Sequence, residues 1–209
     1  MRSFHRRRLL GACAAGLLAA GCDLSLRHGV FNACNTEWPA HLHQHALVLA
    51  AWRGLDAAKV WDVHCHVFGR GDSDNGLWFN PRMEHMWRTV EYMQRQFYIN
   101  AACAHDAPGM LDASFVDRLV SQGDAMPSGF RALLFAFDWA RDENGVPLQE
   151  RSTFHVPDDY VAGLAQRHPA RFEWAASIHP YDPRALERLD LAAERGTRAI
   201  KWLPSAQGI

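Results

Sequence analysis

Hydrophobic and polar positions along the chain fall into two regimes. Four apolar runs of strand length stand out: "AAKVWDVHCHVFG" (57–69), "RALLFAFDWA" (131–140), "FEWAASIHP" (172–180) and "TRAIKWLP" (197–204). Between them apolar residues recur at three- and four-residue steps, the period of a helix buried on one face. "PAHLHQHALVLAAWRGLD" (39–56) predicts a helix ending near Gly54. Asn80 as cap and Pro81 at the first helical position open another, with Met83, Met86, Trp87, Val90, Met93 and Phe97 along one face. "MLDASFVDRLVSQG" (110–123) and "VPDDYVAGLAQRHP" (156–169) predict two more. "DPRALERLDLAAERG" (182–196) adds a last one, with Asp182 as cap and Gly196 just past its end. "GRGDSDNG" (69–76) has turn chemistry throughout.

Strands that are nearly continuous apolar runs, alternating with helices, imply a parallel α/β sheet built from right-handed crossovers. Side chains alternate along a strand, so each run has two readable faces. In the first, Val60, Asp62, His64 and His66 share a face, and Trp61, Val63, Cys65 and Val67 form the apolar face expected to meet helices. Three polar side chains would be costly to bury under a second helix layer but can face the mouth of a barrel. The expected fold is therefore a (β/α) TIM-type barrel, with residues 69–130 as a helical insertion after the first strand. Asp138, His179 and Lys201 close the other three strands, at the C-terminal ends where barrel enzymes build their sites. They are pocket-lining candidates; as ordinary polar strand ends, Asp138 and His179 would need no further account.

The pair His64 and His66 is the sharpest signal. Residues i and i+2 on a strand set two imidazoles on one face, roughly 6–7 Å apart at Cα, which suits one divalent metal held at about 2.0–2.1 Å by each. Two histidines that only hydrogen-bond in a pocket are the plainer alternative. "HLHQH" (41–45) also places His41 and His45 four residues apart, but at the start of an amphipathic helix without a carboxylate set; a solvated helix end accounts for it.

Charge adds a boundary. Of 22 lysines and arginines, Arg2, Arg6, Arg7 and Arg8 lie in the first 22 residues with no acid, leaving 18 basic against 23 acidic residues. A body of about −5 without a basic stripe argues against nucleic acid as a partner. "MRSFHRRR" followed by the 13-residue apolar "LLGACAAGLLAAG" reads as an export signal, too short to span a bilayer. "LAAGC" resembles a bacterial lipobox ending at Cys22, the lipidation site it implies, and "RRRLL" resembles a twin-arginine signal. The expected location is the periplasmic side of a bacterial membrane, through a lipid anchor, with Asp23 resembling an inner-membrane retention signal. Residues 23–57 then form a tether and N-terminal helix, and 58–209 the body. Cys34, Cys65 and Cys103 remain; an odd count allows one disulfide, Cys34–Cys103 by elimination because Cys65 lies within the first strand.

"DVHCHVFG" (62–69) and "RHPARFEWAASIHPYDPRALERLDLAAERGTRAIKWLP" (167–204) resemble the amidohydrolase superfamily, in its branch that includes amino-carboxymuconate-semialdehyde decarboxylase. The resemblance covers roughly 58–209. It implies that His64 and His66 are first-strand ligands of a divalent ion, usually zinc, which activates water against a carbonyl, ester, lactone or amide carbon of a small-molecule substrate. It also implies further ligands on later strands, including a histidine on the fifth and an aspartate on the eighth. Lys201 matches the position of a fourth-strand lysine that bridges two metals in dinuclear members; a cation for a substrate carboxylate, or a structural lysine, fits it as well. Since a full barrel takes about 250 residues, the chain is expected to carry the first four strands of a longer protein. A metal-dependent hydrolase is the leading expectation. A nonoxidative decarboxylase on the same scaffold, a non-catalytic binding lipoprotein, and two half-barrels joined as a dimer are the alternatives. The insertion's aromatics, Trp78, Phe79, Trp87, Phe97 and Tyr98, are candidates for a lid over an aromatic or lactone substrate or for plain helix packing.

Overall fold

The computed structural model describes residues 40–209. The four expected strands form one parallel sheet: β1 (Trp61–His66), β3 (Arg131–Phe135), β5 (Phe172–Ala176) and β6 (Ala199–Ile200), paired in that order. The sheet curls into half of a barrel. Its outer face packs on α5 (Asp158–Arg167) and α6 (Ala185–Glu194) through Leu134, Ala136, Phe172, Trp174, Val161, Leu164 and Ala192. Leu133, Phe135 and Ala175, with Trp61 against them, form a smaller apolar layer on the inner face. Gly196 sits at φ +79 as the stop of α6, a conformation that favours glycine.

Three departures from the sequence pattern shape the molecule. The first expected helix is two pieces, α1 (Ala40–His43) and α2 (Ala46–Ala51), because the His45 side chain accepts from Leu47 N–H and caps the second. The expected His41/His45 pair is therefore not on one helix, and both residues are exposed. Residues 80–101 also divide. Asn80 caps a 3₁₀ turn (Pro81–Glu84), its side chain accepting from Arg82 N–H, and α3 begins afresh at Thr89 and runs to Ala101. Met83 is buried, but Trp87, Val90 and Phe97 are 78%, 76% and 63% exposed, so the expected apolar stripe does not face the core; Arg95, Gln96 and Ile99 do. Finally, the insertion is not wholly helical. β2 (Trp78–Phe79) pairs antiparallel with β4 (Phe154–His155), two-residue strands too short to show a period.

The insertion closes around its own core of Phe68, Phe79, Met83, Ile99, Leu111 and Phe115, with Phe68 stacked on Phe79 at 5.4 Å. α4 (Leu111–Asp124) brings Asp112, 3% exposed, under the polar loop. Its carboxylate accepts from the N–H groups of Arg70 (2.6 Å) and Gly71 (3.1 Å) and from the Asn75 amide (2.8 Å). A Cβ at Gly69 would collide with that carboxylate and with Leu77, which is why glycine stands there. α7 (Pro204–Gln207) follows β6.

Cys65 is a free thiol and Cys103 is disulfide-bonded. The other half of that bond, expected to be Cys34, lies outside the described residues, as do the export signal and Cys22. No helix among the described residues is long and apolar enough to cross a membrane.

Candidate metal centre

Strict alternation along β1 would set Asp62 beside the histidines. The strand instead carries a register shift between Asp62 and Cys65, where Asp62 pairs with Ala132 and Cys65 with Leu134. Ala132 and Leu134 lie on one face, so one extra residue is absorbed between them and the face inverts. The Asp62 carboxylate accepts from His64 N–H at 3.0 Å within the bulge. Asp62 thus turns to the helix side with Cys65, and Val63, expected to be covered, is 62% exposed. Trp61 takes the inner face in its place, below the histidines.

Beyond the bulge His64 and His66 converge, their Nε2 atoms sharing a hydrogen bond at 3.1 Å and their ring centroids 5.0 Å apart, so the plainer reading of the pair is met as well. Two bonds of about 2.0–2.1 Å to one ion would subtend about 100° across that gap, close to a tetrahedral bite. Phe135 supports both rings from β3, at 5.1 Å from His64 and 5.4 Å from His66. The Lys201 ammonium stands 5.2 Å over the same phenyl face, a cation–π contact. Burial, then the charges of His64 and Lys201, push His66 down to about 4, so its ring is neutral near pH 7 and keeps a lone pair for a metal. Nothing in the sequence singles out Phe135, one apolar residue among several in 131–140.

His179 and Asp138 lie elsewhere. His179 is fully buried. Its Nδ1 accepts from Tyr181 N–H at 3.1 Å, which leaves Nε2 to donate to the Gln207 carbonyl at 3.0 Å. Both nitrogens are spent on backbone, tying α7 to the end of β5. Asp138, 2% exposed, accepts from Arg188 (2.7 Å) and from the N–H groups of His179 (3.1 Å) and Trp139 (2.8 Å). Arg188 also reaches Asp158 and Asp182, each at 2.7 Å, and Arg141 reaches Asp182 at 2.9 Å. This ion network crosses from the strand ends to α6. Of the five strand-end candidates read from the sequence, the structure gathers His64, His66 and Lys201 on one inner face and sets Asp138 and His179 apart.

The donor set fits part of a metal site. Two convergent nitrogens, one held neutral, are present; among the described residues no group of three or more His, Cys, Asp or Glu could hold an ion. An apolar groove of about 380 Å³ runs beside the pair along β1, lined also by Tyr98, Ala102, Phe115 and Leu119. Of the five insertion aromatics singled out in the sequence only Tyr98 reaches it, beside Phe115; Trp78 packs on Trp139 and Trp87 on His85. No protein-family model, no curated protein and no solved structure matches the chain.

Proposed function

We propose that the chain carries the first-strand ligands of a zinc-dependent hydrolase on the first half of an amidohydrolase-type (β/α) barrel, exported and tethered to a bacterial membrane through Cys22. The observation that carries the reading is the 3.1 Å Nε2 pair on the inner face, flanked by the Lys201 ammonium. A divalent ion bound there would supply a Lewis acid and lower the pKa of water towards about 7. His64 and His66 hold the ion, and Phe135 fixes the plane of both rings. Lys201 has no carboxylate partner among the described residues, so its charge is available to a carboxylate on the substrate. The resemblance would draw the remaining ligands and the general base from later strands.

Zinc content after dialysis at pH 7.5 tests this. The chain should retain zinc, His64→Ala and His66→Ala should each lower affinity at least tenfold, and His43→Ala, in the exposed N-terminal cluster, should not. Equal retention by all four proteins would refute the metal reading, whatever the activity.

A further inference from the structure

A second cavity, of about 400 Å³, opens in the helix layer, where Asp158 and Asp159 of α5 and Arg188, Leu191 and Ala192 of α6 line it above Trp174 of β5. It shares no lining residue with the groove beside His64 and His66. Its size falls within the range of small-molecule sites, about 300–1,000 Å³. The apolar part of its wall is aromatic: Trp174, 3% exposed, and the flat pair of Trp139 and His155. The Trp174 indole N–H is already spent on the Arg195 carbonyl at 3.3 Å, so the ring offers carbon to an occupant.

Four arginines and three aspartates supply the charge around the cavity. Three of the arginines are committed: Arg188 to Asp138, Asp158 and Asp182, Arg141 to Asp182, and Arg195 to Asp159. Arg184 differs. Its backbone N–H donates to the Asp182 carboxylate at 2.9 Å, which fixes it at the head of α6, yet its guanidinium meets no carboxylate among the described residues. A guanidinium fork matches a carboxylate in shape and charge. The other uncommitted group is His155. Burial outweighs the charge of Asp138 and keeps its ring neutral near pH 7, and its buried Nδ1 has no hydrogen-bond partner. Such an atom in a cavity wall calls for a partner. A hydroxyl donates and accepts, so it satisfies Nδ1 in either tautomer. A second anionic group there would be repelled by Asp138, whose charge His155 already feels.

We propose that this cavity binds a small aromatic carboxylate that carries a hydroxyl, with the carboxylate on the Arg184 guanidinium, the hydroxyl on His155 Nδ1 and the ring against Trp174. The site does not rest on the metal reading. Calorimetric titration of the full chain with 2-, 3- and 4-hydroxybenzoate tests it, because the three isomers vary where the hydroxyl falls. At least one should bind about tenfold or more tighter than benzoate, which lacks the hydroxyl, and than the matching hydroxybenzyl alcohol, which lacks the charge. Arg184→Met, at an exposed position, should weaken that isomer about tenfold or more. His155→Phe should bring it level with benzoate; if that variant does not fold, Arg184→Met carries the test. Lys201→Met, on the inner face, should leave its affinity unchanged. Binding by none of the isomers, or affinity that survives Arg184→Met, would overturn the proposal. So would affinity lost in Lys201→Met alone, which would put the carboxylate beside the histidine pair. Zinc retention is read separately in the same variants, so failure of this cavity and failure of the metal site are distinguishable.

Discussion

His155 lies flat on Trp139, centroids 4.2 Å apart, and burial drives its pKa down to about 4 despite the opposing charge of Asp138. Its unfolded counterpart titrates near 6.5. Between those values the unfolded chain binds a proton that the folded chain refuses, so stability is fully present above pH 6.5 and is lost as pH falls towards 4. His66 adds to the same slope. His155→Phe keeps the stacking and removes one titration; urea midpoints should fall less steeply between pH 6.5 and 4 than in the parent. An unchanged slope would show that His155 is not the buried base described here. The histidine pair itself was legible because i and i+2 spacing survives any local twist. The place of Asp62 was not. Period-two reading assumes an unbroken pleat, and a single extra residue between Asp62 and Cys65 inverts the face without leaving a mark in composition.

Elements were legible where length or caps declared them. The four parallel strands, α4, α5 and the Gly196 stop of α6 all fall where the apolar runs and turn residues put them. Two-residue strands and the break after Glu84 carry no periodic signal, and tertiary contacts decide them. The same holds for what joins elements. No spacing rule announces that Arg188 on α6 reaches Asp138 beyond β3 and Asp158 at the start of α5. Arg188→Met would leave the Asp158 carboxylate, 16% exposed, without its cation and the Asp138 carboxylate, 1% exposed, with only Arg141 at 3.5 Å. Removing one partner of such a buried pair costs about 3–5 kcal/mol. Thermal and urea unfolding should register a loss of that order, and the loss should shrink markedly in the Asp138→Asn background, where one charge is already gone. Additive losses would mean the two groups are not coupled. Zinc retention should be untouched by either change in protein that remains folded, since neither residue belongs to the inner face.

At the scale of the whole molecule, the half-barrel follows from the order of strands and helices, while its open sides follow from geometry alone. Among the described residues β1 and β6 each have a strand partner on one side only, and parallel edges of this kind present free N–H and C=O groups to any second strand. Side chains near these edges do little to discourage pairing: Val63 is 62% exposed, and Trp202 and Leu203, just past β6, are 47% and 41% exposed. An edge with exposed apolar side chains favours association even beside Asp62 on β1 and Arg198 next to β6, and a lysine at Val63 opposes it by forcing a further charge into the new pair. The 209-residue chain, studied by sedimentation velocity over a hundredfold range of concentration, should therefore self-associate. Val63→Lys should weaken that association about tenfold or more, while Leu186→Lys, 77% exposed on the outer helix α6, should not. Association that responds to Leu186→Lys and ignores Val63→Lys would move the sticky surface from the sheet edge to the helix layer. A monomer at every concentration would overturn the prediction.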